Sequence, residues 1–143
     1  MNKYGLNFHH LGLAVKQPEK AVNFLTGLGY AIGRAVRDDL QNVNLIFCTN
    51  QAMPAIEIIA EAETPGPLAG ILKLNTAMIY HVCFESECLA ESLAAIKRDN
   101  HQVTTISGPK PAVLFSGRNV SFYQIRNFGM VEILEASNPA NLQ

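Results

Sequence analysis

The chain has 143 residues, 48% of them hydrophobic and 16% charged, which suits one domain or two small fused modules and argues against disorder. It is long enough to bury roughly two-thirds of its unfolded surface, so it can fold on apolar packing without disulfides. A net charge of −1, from 12 acids and 11 scattered bases, argues against nucleic acid as a partner, although a local pair of cations could still steer a small anion.

The N-terminal MNKYGLNFHH lacks the apolar run of a signal peptide, and no apolar stretch approaches the roughly 20 residues that span a bilayer. Cys48, Cys83 and Cys88 are an odd count without zinc or redox spacing, as expected for reduced thiols in a cytoplasmic protein.

FHHLGLAV, residues 8–15, alternates as a strand, with Phe8, His10, Gly12 and Ala14 on one face and His9, Leu11, Leu13 and Val15 on the other. Pro18 reads as a first-turn proline. Ala21, Val22, Leu25 and Leu28 recur at helical spacing up to a stop at Gly29. Three strands are expected next: YAIGRAV, NVNLIFCT near 42–49, and AIEIIAE near 55–61. Asp38–Asp39 and Asn50–Pro54 read as connections between them. TPGPLAGILKLN, with Pro65, Gly66 and Pro67, reads as a linker or lid across 64–76.

The pattern then restarts. MIYHVCFE, residues 78–85, is a strand, and ECLAESLAAIKRDNH is a helix with Leu89, Leu93 and Ile96 on one stripe. QVTTIS follows, then a proline turn at GPKPA, and then VLFSG, NVSFYQIRN and GMVEILEAS. The order β-α-β-β-β therefore occurs twice, in modules expected at 6–63 and 77–136.

Two short stretches carry the duplication most visibly, IEIIAEA and VEILEAS, each with an acid between branched apolar residues. His10 to Glu57 is 47 residues, and His81 to Glu132 is 51. A carboxylate inside an apolar strand is costly unless it is paired or bound to metal. Two imidazoles and two carboxylates make a donor set acceptable to Zn(II), Ni(II), Co(II), Mn(II) or Fe(II). Alternation leaves His9 in competition with His10, and Glu61 and Glu135 in competition with the two acids. His81 at the matching place in its module favours His10.

These residues bear a likeness. HLGLAV at 10–15, the histidine of YHVCF, and PKPAVLFSGRNVSFYQIRNFGMVEILE with its Gly117, Arg118, Phe122 and Glu132 resemble the vicinal oxygen chelate superfamily, the glyoxalase and bleomycin-resistance fold. Within it the chain looks most like methylmalonyl-CoA epimerase and glyoxalase-like proteins, from about Phe8 to Leu134. The resemblance implies an α+β fold in which two βαβββ modules form an open, curved mixed sheet around a cleft. It implies a divalent metal ion held by His10, Glu57, His81 and Glu132.

The epimerases commonly carry Gln where this chain has Glu57, so its donor set looks more like the His/Glu/His/Glu of glyoxalase I. They also carry a further Glu as base where this chain has Leu45 or its neighbour Asn44. The activity implied is isomerase or lyase chemistry through an enolate next to a carbonyl, with Glu132 as base and Glu57 as ligand or second base. Arg118, Lys110, Tyr123 and Phe122 are the substrate-contacting candidates, for a small molecule such as an acyl-CoA or another thioester. A homodimer is expected. The alternatives are a non-catalytic binding protein that sequesters an antibiotic, or a thiol or water transferase acting on an electrophilic drug.

Overall fold

The computed structural model describes residues 2–136, so Ser137 of the second acidic strand lies outside the described residues. The chain divides into two compact units. One is His10–Tyr80; the other joins the N-terminal residues through His9 to those from His81 onward. The divisions fall inside strands β1 (Leu6–Val15) and β6 (Ala77–Ser86), immediately before His10 and immediately before His81.

In the His10–Tyr80 unit, β1 leads into helix α1 (Pro18–Gly27), followed by β2 (Ala31–Ile32), β3 (Val36–Asp38), β4 (Val43–Thr49) and β5 (Ile56–Glu61). Strand order is β2-β4-β5-β1, with β3 also paired to β4. The β1–β5 pair is parallel and the others are antiparallel. Proline opens α1, and Gly29 with φ +90° follows its end, the left-handed position that spares a side chain. Leu25 of α1 packs with Val15, Tyr30, Cys48, Ile58 and Ala60 as the core on one sheet face.

The expected strand YAIGRAV is broken in two. Gly33 donates its N–H to the Phe47 carbonyl at 2.9 Å, and a Cβ at Gly33 would lie 2.4 Å from that oxygen. This close approach interrupts the ladder and moves the second piece on to Val36–Asp38, so Asp38 ends a strand rather than lying in a loop. The stretch 64–76, expected as a linker or lid, has a helical turn of its own. It carries the short helix α2 (Ala69–Leu72), with Leu68 and Leu72 buried at 0% and 2% exposure.

In the other unit, β6 leads into α3 (Leu89–Arg98), β7 (Val103–Pro111), a 3-10 turn at Val113–Phe115, β8 (Asn119–Ile125) and β9 (Gly129–Glu135). The order is β6-β9-β8-β7, with β6–β9 parallel and the rest antiparallel. GPKPA is not a turn but the end of β7. That edge strand has two register shifts, the second spanning Pro109, and it tolerates prolines because an edge does not need every N–H. VLFSG is the 3-10 turn, not a strand.

Leu6, Ile96, Tyr123, Val131 and Ile133 form the core on the helix side of this sheet. Cys83, Ala112, Val120 and Leu134 pack separately, with Phe115 and Phe122 against them. The fold is thus α+β, with open mixed sheet built from repeated βαβββ units: the repeat is the one the sequence pattern predicts, and the open mixed sheet the one the resemblance implies.

Candidate metal centre

The register of each unit builds the same half-site. On β5, Glu57 is directly beside Gly12 of the parallel strand β1 and opposite Phe47 of β4. His10 lies two residues before Gly12 and so shares this face. On β9, Glu132 is directly beside Cys83 of β6 and opposite Phe122 of β8. His81 lies two residues before Cys83. Both pairs therefore follow from strand parity and a parallel central register.

The side chains meet accordingly. His10 Nε2 lies 3.9 Å from Glu57 Oε1, and His81 Nε2 lies 3.3 Å from Glu132 Oε1. All four residues are at most 4% exposed. A phenyl ring stands edge-on to each imidazole: Phe47 to His10 at 5.5 Å and 87°, Phe122 to His81 at 5.3 Å and 77°. Ionised carboxylates this deep are expensive to desolvate, and a divalent cation offsets that cost. Imidazole nitrogen and carboxylate oxygen are also the donors that such ions accept. These buried His/Glu groups are suited to chelate a divalent metal ion.

The alternatives left open by the sequence separate by burial and parity. His9 is half-buried, with its ring edge-on to Phe115 at 5.2 Å. Glu61 is exposed at the end of β5. Glu135 has the opposite parity to Glu132 on β9, and its carbonyl accepts a hydrogen bond from Arg118 Nε at 2.8 Å.

Arg118 is further engaged by an ion pair from Nη2 to Glu85 Oε2, so it fastens the start of β8 to β6 and β9. Lys110 is exposed on β7, in register with Val120. Phe122 shares the face of Glu132, whereas its neighbour Tyr123 lies on the opposite face in the helix-side core. There the Tyr123 hydroxyl donates to Ser121 Oγ at 3.0 Å.

Leu45 is 5% exposed and in register with Ile59, on the same sheet face as Phe47 and Glu57. Asn44 faces the other way and donates to the Glu61 carbonyl. Asp38 is tied into its own turn, accepting from the Leu40 and Gln41 N–H groups and from Gln41 Nε2. Sequence reasoning missed Phe47 as the counterpart of Phe122. The signal was the alternation of Val43, Leu45 and Phe47, which sets Phe47 on the face of Glu57 once the two strands are paired.

Residues 9–122 match the glyoxalase/bleomycin resistance protein/dioxygenase superfamily, and the chain belongs to it. No curated protein sequence matches. Among solved structures, a hypothetical protein from Bacillus halodurans is similar at 20% identity, with 93% of this chain and 96% of that one covered and a TM-score of 0.77. Methylmalonyl-CoA epimerase from Mycobacterium tuberculosis is similar at 14% identity, with 97% and 92% covered and a TM-score of 0.74. A Streptomyces coelicolor methylmalonyl-CoA epimerase, in complex with 2-nitronate-propionyl-CoA, gives 14% identity, 92% and 97% covered, and a TM-score of 0.69.

Proposed function

We propose that the two half-sites act as one, with His10, Glu57, His81 and Glu132 as the ligands of a single divalent ion. On this reading the protein is a metal-dependent isomerase or lyase of glyoxalase or methylmalonyl-CoA epimerase type. The observation that carries the reading is the repetition of one His/Glu/Phe arrangement at equivalent register positions in both units, all four donors being buried. A chain that needed only structural polar groups would have no reason to bury the same pair twice. The bound ion would supply Lewis acidity, lowering the cost of negative charge on a substrate oxygen.

The chain's own residues do the rest. Glu132 Oε accepts the proton from the carbon next to the carbonyl, and Glu57 stays a ligand or returns the proton on the opposite side. Phe47 and Phe122 hold the imidazoles in orientation and keep the surroundings apolar, where electrostatic effects are strong. The substrate is a small carbonyl compound. Thioesters of CoA are the first class to examine, because epimerases of methylmalonyl-CoA share the fold. The expected setting is a cytoplasmic homodimer, and three cysteines outside any disulfide fit a reducing compartment.

Leu45 favours a second reading. The resemblance aligns Leu45, or its neighbour Asn44, with the separate base of the epimerases, and neither side chain takes up a proton near neutral pH, which suits a binding protein that sequesters its ligand without turnover.

The deciding experiment is solvent deuterium exchange into a panel of 2-oxo compounds and acyl thioesters, using protein loaded with Zn(II), Ni(II), Co(II) or Mn(II). Metal-dependent exchange at the carbon next to the carbonyl is the expected result. Tight binding of a panel member without exchange would replace the enzyme with the binding protein.

A further inference from the structure

A cavity of about 590 Å³ lies on the helix side of the unit containing β6–β9, remote in parity from Glu132. Its floor is apolar: Leu6, Ile96 and Val131 are 8%, 3% and 1% exposed, and Phe84 and Ile125 are half-buried. The volume is in the range of small-molecule pockets, roughly 300–1,000 Å³.

Both walls are built before any ligand arrives. On one side, Asn2 Oδ1 accepts from the N–H groups of Tyr4 and Leu6, and Asn2 Nδ2 donates to the Leu6 carbonyl. The Tyr4 hydroxyl donates to Asp99 Oδ2 at 2.5 Å. On the other side, the β8–β9 turn closes through Phe128 N–H to the Ile125 carbonyl, with Asn127 at φ +65°. The Arg126 N–H donates to the Gln102 carbonyl. Preformed walls lower the ordering cost of binding.

The mouth differs in character from the floor. Phe128 is 62% exposed at the lip, a large apolar side chain that nothing in its own turn covers. Arg126 and His101 are exposed beside it. One guanidinium nitrogen of Arg126 donates to Gln102 Oε1, and the His101 ring meets Tyr4 edge-on at 6.3 Å. A hydrophobic body on the floor and a negative end against Arg126 and His101 would satisfy both parts.

We infer that this cavity is a second binding site, separate from the metal centre, for a small aromatic or aliphatic carboxylate. The inference does not depend on the proposed activity. Its apolar end sits on Leu6, Phe84 and Val131 under Phe128, and its carboxylate faces Arg126.

The test is an NMR titration of the full-length 15N-labelled protein with phenylbutyrate and with its neutral analogue phenylbutanol. Saturable shifts are expected at the amides of Leu6, Ile125, Phe128 and Val131. The acid should bind about tenfold more tightly than the alcohol, as a charge-assisted hydrogen bond to Arg provides. Arg126→Gln should remove that preference while leaving alcohol binding and spectral dispersion intact. No saturable shift, shifts confined to other residues, or a preference unchanged in Arg126→Gln would each overturn the inference.

Discussion

A carboxylate with 2% exposure, such as that of Glu132, needs a compensating charge, and His81 Nε2 lies 3.3 Å from its Oε1. Whether the residue serves as both ligand and base is open to direct test. Glu132→Gln keeps the shape and removes the anionic donor and the proton acceptor together. Metal affinity should fall by at least about 10- to 100-fold, and deuterium exchange should be lost even at saturating metal. Calorimetric metal titration and exchange by NMR measure the two separately. Retained exchange in saturated Glu132→Gln would transfer the role of base to another group. Sequence alone reached the acids through their apolar neighbours, but it could not choose His10 over His9 from alternation. The repeat supplied that choice, and burial agrees with it: His10 is fully enclosed while His9 is half-buried. Two of the substrate-contact candidates, Phe122 and Tyr123, differ in orientation for a physical reason. Phe122 and Tyr123 are adjacent in a strand and must face opposite ways, and only pairing with β9 tells which one accompanies Glu132.

At the scale of elements, the repeated strand and helix order was legible because helical spacing, first-turn proline and terminal glycine are local signals. The break between β2 and β3 was not, because it comes from the approach of Gly33 to the Phe47 carbonyl across the sheet. Gly33→Ala should therefore destabilise the protein by about 1–3 kcal/mol. Gly70→Ala, where an added Cβ meets nothing within 4 Å, should stay within about 0.5 kcal/mol of the parent. Thermal unfolding of the two variants makes the comparison, and equal effects would contradict the account of the break. The segment leading into β1 is held differently. Lys3 first, then the Tyr4 hydroxyl, hydrogen-bond to Asp99 and lower its pKa from the ordinary 3.8. A depressed folded-state value contributes stability above the unfolded value and loses it as pH falls through the folded one. Amide exchange at Tyr4 and Leu6, after correction for intrinsic pH dependence, should accelerate below about pH 4. Asp99→Asn should exchange faster at neutral pH and show no such acid transition. A parental acid transition that persists unchanged in Asp99→Asn would place its origin elsewhere.

At the scale of the whole molecule, duplication gives each unit a parallel pair of strands, one His, one Glu and one Phe in the same register. The central claim is that these two half-sites share one ion rather than each holding its own. Two protein ligands alone make a weak site, whereas four complete a strong one with room for substrate oxygens. The most direct measurement is the number of Zn(II) or Co(II) ions bound per chain, by elemental analysis after equilibration, in the parent, in His10→Ala and in His81→Ala. The account predicts one tightly held ion per chain in the parent and loss of tight binding in both variants, although they alter different units. Two ions in the parent, or one ion retained in either variant, would contradict it.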